Sequence, residues 1–284
     1  MILEAGIADA YGAGFEFRPQ EFINQNNDLT TYFPHGLYTE ICKKYTDDTQ
    51  MAIAIAEALL EKEAWTPEYI ADKFVEVFHR DKRRGYSNRV YSALDASKNG
   101  KDFLKKVAYQ STGNGASMRA YPIGMLKDIS QIIEYCEIEA KTSHDTPEGI
   151  TGAKRIALST HYFLYNLGEK EGLIDFLNST LKENNIYKIE SPIDMHAYPT
   201  TNAVVSMLSE EVSMKACLKK AIDYGGDTDT SASLCMAIMS VNKNTIKDLP
   251  TSLYEEMEDG EYGKKYLELL DKKLIERYGY QSTA

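Results

Sequence analysis

An all-α fold is expected, built as one compact multi-helix domain over residues 1–284. Three observations point there. Apolar residues recur at helical spacing through most of the chain, runs alternating with period two are nearly absent, and so is the strand–helix alternation that builds a parallel sheet. The last point excludes Rossmann and P-loop architectures, and neither G-x-G-x-x-G nor G-x-x-x-x-G-K-[ST] occurs. A chain of 284 residues can bury a large core, so folding needs neither a disulfide nor a structural metal. No internal repeat or low-complexity linker divides it.

The individual helices are legible from their ends. Thr66-Pro67-Glu68 offers an N-cap, a proline at the first helical position and an acid, and Ile70, Phe74, Val77 and Phe78 then fall on one helix face. Thr146-Pro147-Glu148 repeats this opening and leads a helix through Ile156, Leu158, Tyr162 and Leu164, ending near Gly168. Ser213 caps a helix through Leu218 and Ile222, closed by Gly225-Gly226. Lys264 to Tyr278 is a final amphipathic helix. Loops are expected at Pro19–Thr31, Asn99-Gly100, Ser111–Gly115 and Lys188–Tyr198.

Charge and composition narrow the function. The formal net charge is −11, which disfavours a nucleic-acid groove. No stretch approaches the ~18 apolar residues of a membrane span. The start of the chain has no basic segment and carries Glu4, so it does not read as a signal peptide, and a cytoplasmic protein is expected. Cys42, Cys136, Cys217 and Cys235 form no C-x-x-C pair and read as reduced, mostly buried thiols. The five histidines show no H-E-x-x-H spacing.

Three segments break the pattern of an ordinary helical protein. Tyr45-Thr46-Asp47-Asp48-Thr49-Gln50 opens a helix that is apolar almost all round, from Met51 to Leu60, so its start is buried with two adjacent carboxylates. Helix capping explains one aspartate; two buried together repel and call for a cation or a proton. Gly225-Gly226-Asp227-Thr228-Asp229-Thr230 repeats the pattern before a second apolar helix. Facing each other, the two starts would present four carboxylates and several hydroxyls. Such hard oxygen donors suit Mg²⁺, Mn²⁺ or Ca²⁺, and that many acids suit a pair of ions. The third segment is Gly113-Asn114-Gly115-Ala116-Ser117-Met118-Arg119. Alone it is as well read as a tight turn; beside the other two it supplies a diphosphate cradle.

The combination resembles the ADP-ribosylglycohydrolase family, of the dinitrogenase-reductase-activating and mammalian ADP-ribosylhydrolase type. Five family elements occur in order: Ile7–Phe17, Thr46–Thr49, Gly113–Arg119, Ser143–Ala153 and Gly225–Thr230. Gly6-Ile7-Ala8-Asp9 departs from the Leu-Gly-Asp of many members, and Gly85-Tyr86-Ser87-Asn88-Arg89 with Tyr91 has a bacterial look. The resemblance implies an all-α fold with two Mg²⁺ ions, Mn²⁺ being a possible substitute. Thr46, Asp47, Asp48, Asp227, Asp229 and Thr230 are the implied metal ligands. Gly113, Asn114, Gly115, Ser117 and Met118 are implied to face substrate, with His144 as a cleft wall, although a histidine there also reads as a residue bonded to backbone. His196 and Tyr198 are placed in a loop flanking the adenosine end.

The implied reaction is hydrolysis at C1 of the distal ribose of an ADP-ribosyl group, with ADP-ribose and an ADP-ribosylated substrate as partners and a monomer as the expected state. Glu16 is the leading base or mobile metal ligand, with Asp47 and Asp48 as alternatives. Gly12 and Gly14 are expected to give Glu16 a bendable loop, with Phe15 and Phe17 anchoring it on the core. Two other readings stay open: a module that binds ADP-ribose or another nucleotide without cleaving it, and a metal-stabilised structural protein. The sequence does not choose the acceptor, whether arginine, serine, a nucleobase or a small molecule.

Overall fold

The computed structural model describes residues 1–61, 63–108, 110–187, 189 and 192–279. Among them, fifteen α-helices follow one another, joined by isolated bridge pairs but no strand. They are α1 (Ile2–Gly12), α2 (Gln20–Asn26), α3 (Asp47–Leu60), α4 (Pro67–Arg80), α5 (Asn88–Asp95), α6 (Gly100–Lys106), α7 (Gly115–Arg119) and α8 (Ile129–Ala140). After these come α9 (Pro147–Leu164), α10 (Leu173–Leu181), α11 (Ala197–Glu210), α12 (Met214–Asp223), α13 (Thr228–Val241), α14 (Thr251–Glu256) and α15 (Lys264–Tyr278). The all-helical class expected from the sequence is what the chain adopts. No helix among the described residues is long and apolar enough to cross a membrane.

The expected caps form. Thr66 Oγ1 accepts from Tyr69 N at 3.1 Å, Thr146 Oγ1 from Gly149 N at 3.1 Å and Ser213 Oγ from Ala216 N at 3.0 Å. Thr66 and Ser213 start helices with one buried face and one solvated face, whereas α9, which Thr146 starts, is buried all round from Arg155 to Phe163. By contrast, α1, α3 and α13 lie at the centre. Every residue of α13 from Thr228 to Val241 is buried, serines and threonines included. The α1–α13 pair is the most intimate in the molecule. A Cβ on Gly12 would sit 2.6 Å from Asp229 Cα, so only glycine lets the end of α1 reach the start of α13.

Some boundaries differ from expectation. The Pro19–Thr31 loop contains α2, a short polar helix that buries Ile23 alone and so shows no periodic apolar face. α9 stops at Leu164, before Gly168, because Asn166 takes a left-handed conformation with φ 52°. Asn99 is the cap of α6 as well as a turn residue, its Oδ1 accepting from Asp102 N at 2.9 Å. In the Lys188–Tyr198 loop, Lys188, Glu190 and Ser191 lie outside the described residues, and Tyr198 belongs to the first turn of α11. All four cysteines are free, three of them buried.

Candidate metal centre

The start of α3 is held from another helix. Thr46 is its N-cap residue, but the Thr46 hydroxyl does not cap it. The cap is Asp9, fully buried on α1. Its carboxylate accepts from Thr46 N at 2.9 Å, Thr46 Oγ1 at 2.9 Å, Thr49 N at 3.0 Å and Thr49 Oγ1 at 2.6 Å. Freed from capping, Asp47 and Asp48 point their carboxylates elsewhere. Asp48 is 3% exposed, and its Oδ1 is buried without a hydrogen-bond partner among the described residues. Asp47 is half-buried against Gly85, whose φ of 110° and position leave no room for a side chain: a Cβ there would lie 2.0 Å from Asp47 Oδ1.

The start of α13 is held differently. Asp227 Oδ2 accepts from Asn114 Nδ2 at 2.6 Å, Thr228 Oγ1 donates to Gly12 O at 2.8 Å, and Asp229 Oδ1 accepts from Thr230 N at 2.9 Å. Glu16 joins this group: one oxygen each from Glu16, Asp227 and Asp229 lie within 4.8 Å of one another. Asp47 and Asp48 line the same cavity but stand outside that trio. Glu16 is not on a free loop. Gly12 and Gly14 do not take positive φ; Gly14 permits a close approach to Phe33 O, and the positive φ, 50°, falls on Phe17. Phe15 is buried as expected, whereas Phe17 is 55% exposed and anchors through its N–H to Gly226 O at 2.9 Å instead of through its ring. Glu16 Oε2 pairs with His35 Nε2 at 2.5 Å.

Burial and mutual repulsion set the charge state. Burial, then Asp9 and Glu16, pushes Asp47 well above the usual carboxylate range; burial, then Asp47 and Asp9, does the same to Asp48. Asp229 is raised well above that range by burial and then Glu16, and Asp227 is raised by burial. Burial also raises Asp9 to about 6, although the hydrogen bonds from Thr49 and Thr46 pull it down.

The carboxylates face a cavity of about 440 Å³, within the range of small-molecule sites. Its far side carries Gly113, Asn114, Gly115, Met118, His144, Met195 and Arg89. Two backbone donors of the glycine turn are already used: Gly113 N donates to Ser111 Oγ at 3.1 Å and Asn114 N to Met195 O at 2.8 Å. Ser117 does not line the cavity; its hydroxyl lies against Gly152 of α9, on the packed side of α7. Nor does Thr46, whose hydroxyl is spent on Asp9 and lies 3.4 Å from Asp48 Oδ2. His144 packs on Gly115, where a Cβ would lie 2.6 Å from its ring, and Ser143 Oγ meets its Nδ1 at 2.8 Å. Burial, then Arg119, holds its pKa down to about 3, so the ring is a neutral wall. His196 is exposed and paired with Asp194, and Arg155 stacks on Tyr198 at 4.7 Å.

Sequence reasoning missed Asp9, His35 and Arg119 as parts of the site. Arg119 is buried, bonds Glu139 Oε2 at 2.6 Å and Ser143 Oγ at 3.0 Å, and so props the turn that carries His144. The available signal for Asp9 was an acid set among the apolar residues Ile7, Ala8, Ala10 and Tyr11. The donor set fits a divalent cation. It is all oxygen, it is crowded with carboxylates, and it includes the orphaned Asp48 Oδ1.

Several known proteins are similar to this chain in fold or in sequence. A solved structure named ADP-ribosylglycohydrolase-related protein complex matches the fold with a TM-score of 0.75 at 18% identity, over 98% of this chain and 96% of that one. ADP-ribosylhydrolase ARH3 of Xenopus tropicalis is 27% identical over 89% of this chain and 76% of its own length. The human ARH3 is 26% identical over 68% of this chain and 69% of its own. An uncharacterized protein of Archaeoglobus fulgidus is 25% identical over 97% of this chain and 94% of its own. The model of the ADP-ribosylglycohydrolase family matches residues 2–283, and the chain belongs to that family.

Proposed function

We propose that this chain hydrolyses the glycosidic bond at C1 of the distal ribose of ADP-ribosyl groups, with Mg²⁺, or Mn²⁺ in its place, held at the acidic centre. The observation that carries the reading is the convergence of two acidic helix starts on one cavity, with Asp48 Oδ1 buried and unpaired. Asp47, Asp48, Asp227, Asp229 and Glu16 would hold two ions, with the Thr230 hydroxyl at the edge of that set. Bound there, divalent cations supply the positive charge that balances these acids and steadies charge developing on the sugar.

The chain's own groups do the rest. The cavity wall of Gly113, Gly115, Met118 and His144 receives the ADP-ribosyl group beside the acids. Glu16 takes a proton from the attacking water as its oxygen bonds to C1; the bond from C1 to the acceptor breaks with its electron pair on the acceptor atom, which takes up a proton from solvent. Arg89 lines the cavity and makes no ion pair with any described residue, so it is placed to offset ligand phosphate in an otherwise acidic site. A cytoplasmic monomer remains the working picture of the protein.

The test is a panel of ADP-ribosylated substrates with defined acceptor linkages, assayed with and without Mg²⁺. Release of ADP-ribose from at least one linkage, lost on chelation, is expected. Tight ADP-ribose binding with no release from any linkage would leave the chain a binding module, and metal-dependent stability with neither would leave it a structural protein.

A further inference from the structure

Glu16 reaches the centre from a turn, not from a helix, so something must fix its carboxylate. The segment after Phe33 folds back on that turn, and His35 is its pivot. His35 N donates to Ile41 O at 2.9 Å. Its Nδ1 accepts from two backbone N–H groups, Leu37 at 2.9 Å and Tyr38 at 3.0 Å. A ring nitrogen that receives two N–H donors carries no proton of its own, so the single proton of the neutral imidazole sits on Nε2. Nε2 is the atom that meets Glu16 Oε2. An N–H aimed at a carboxylate oxygen fixes where that oxygen lies, which is what a metal ligand or a general base needs. The ring cannot easily turn away: it is 4% exposed and stacks on Tyr38, with centroids 5.3 Å apart and planes at 28°.

We propose that His35 is a positioning residue. Its backbone-clamped Nδ1 fixes the tautomer that donates from Nε2 to Glu16, and this holds the Glu16 carboxylate within reach of Asp227 and Asp229. The inference rests on the metal-centre reading above but makes its own claim, about tautomer and ligand placement in the protein before substrate arrives. Partners that orient a ligand in this way are worth roughly 10- to 100-fold in metal affinity.

Two substitutions separate the two ends of the ring. His35→Asn places an oxygen where Nδ1 sits and can keep the turn, but is too short to meet Glu16. His35→Gln reaches Glu16 with an amide N–H but gives up the acceptor of the turn. The measurement is calorimetric Mn²⁺ binding to the metal-free full-length protein, alongside its thermal melting and the ¹⁵N shifts of the His35 ring. We expect His35→Asn to bind Mn²⁺ about tenfold more weakly with its metal-free melting unchanged, and His35→Gln to stay within about threefold of wild type. The ring should show an unprotonated Nδ1 and a protonated Nε2. Wild-type Mn²⁺ affinity in folded His35→Asn, or a proton on Nδ1, overturns the proposal. Should His35→Asn fail to fold, His35→Gln and the ring shifts decide: a tenfold loss in His35→Gln counts against it. None of these readouts uses an ADP-ribosyl substrate. Were the tautomer and affinities as expected and every linkage left uncut, the hydrolase reading would fall and the role of His35 would stand.

Discussion

The two acidic helix starts carry nearly the same residues, Thr46–Thr49 and Asp227–Thr230, yet they are supported by opposite means. The start of α3 is tied by a third carboxylate, Asp9, which takes four hydrogen bonds from Thr46 and Thr49. The start of α13 is tied by neutral groups: the Asn114 amide on Asp227 and the Gly12 carbonyl under Thr228. Capping with an acid satisfies more donors but adds buried negative charge beside Asp47 and Asp48. Capping with an amide adds none. The α3 side is therefore where a cation is needed most, and the α13 side, with Glu16, is where the carboxylate oxygens already lie closest together.

Substitutions can break or sharpen this contrast. The largest expected effect is on Asp48, whose Oδ1 is buried without a hydrogen-bond partner among the described residues. Asp48→Asn should cut turnover by about 10³-fold, several kcal/mol of charge stabilisation, while its metal-free form melts no lower than wild type because a repulsion is relieved. Wild-type turnover would reduce Asp48 to a structural residue and remove the asymmetry. On the other side, Glu16→Gln should slow single-turnover hydrolysis by about 10²-fold and leave ADP-ribose binding within about tenfold. Unchanged chemistry in this variant would pass the base role to an aspartate.

Supports should fail in different currencies. Asp9→Ala leaves the donors of Thr46 and Thr49 without their acceptor, and a loss of about 3 kcal/mol in unfolding free energy is expected by denaturant titration. Asn114→Ala should cost only about 1 kcal/mol, because Asp227 keeps company that a cation can supply. Equal losses would show that the two caps are equivalent after all.

The smallest effect is on pH. Asp9, Asp47, Asp48 and Asp229 all have folded-state pKa values above their unfolded ones, Asp9 at about 6. A raised acid holds its proton longer in the folded state. Its contribution is complete below the unfolded carboxylate range and is lost as pH rises through the folded value. The metal-free protein should therefore melt a few degrees lower at about pH 7.5 than at about pH 5. Saturating Mg²⁺ should flatten or reverse that trend, since a bound cation holds the acids ionised. A metal-free melting point that climbs over this interval would mean that the cluster is paired internally.

Legibility followed the range of the interaction. The caps at Thr66, Thr146 and Ser213 were readable because cap and helix are neighbours in sequence. The acids of α3 and α13 were readable because charge inside an apolar run is conspicuous. The short helix α2 was not, since it buries Ile23 alone. Ser117 was placed against substrate by its position in a glycine-rich segment, but a five-residue helix presents both faces and the structure turns this one onto Gly152.

By itself, then, the sequence determined the helical class, the helix starts at Thr66, Thr146 and Ser213 and the presence of two buried acidic starts, because these depend on periodicity, on capping and on the cost of burying charge. Only the tertiary structure decided that Asp9 rather than Thr46 caps α3, that Asn114 serves Asp227, and that His35 meets Glu16. Each of those is a contact between groups that no helical period links. Each is fixed by the close approach of α1 to α13 at Gly12 and by the turns folded over it, and a buried donor or acceptor there takes whichever partner the packing brings within reach.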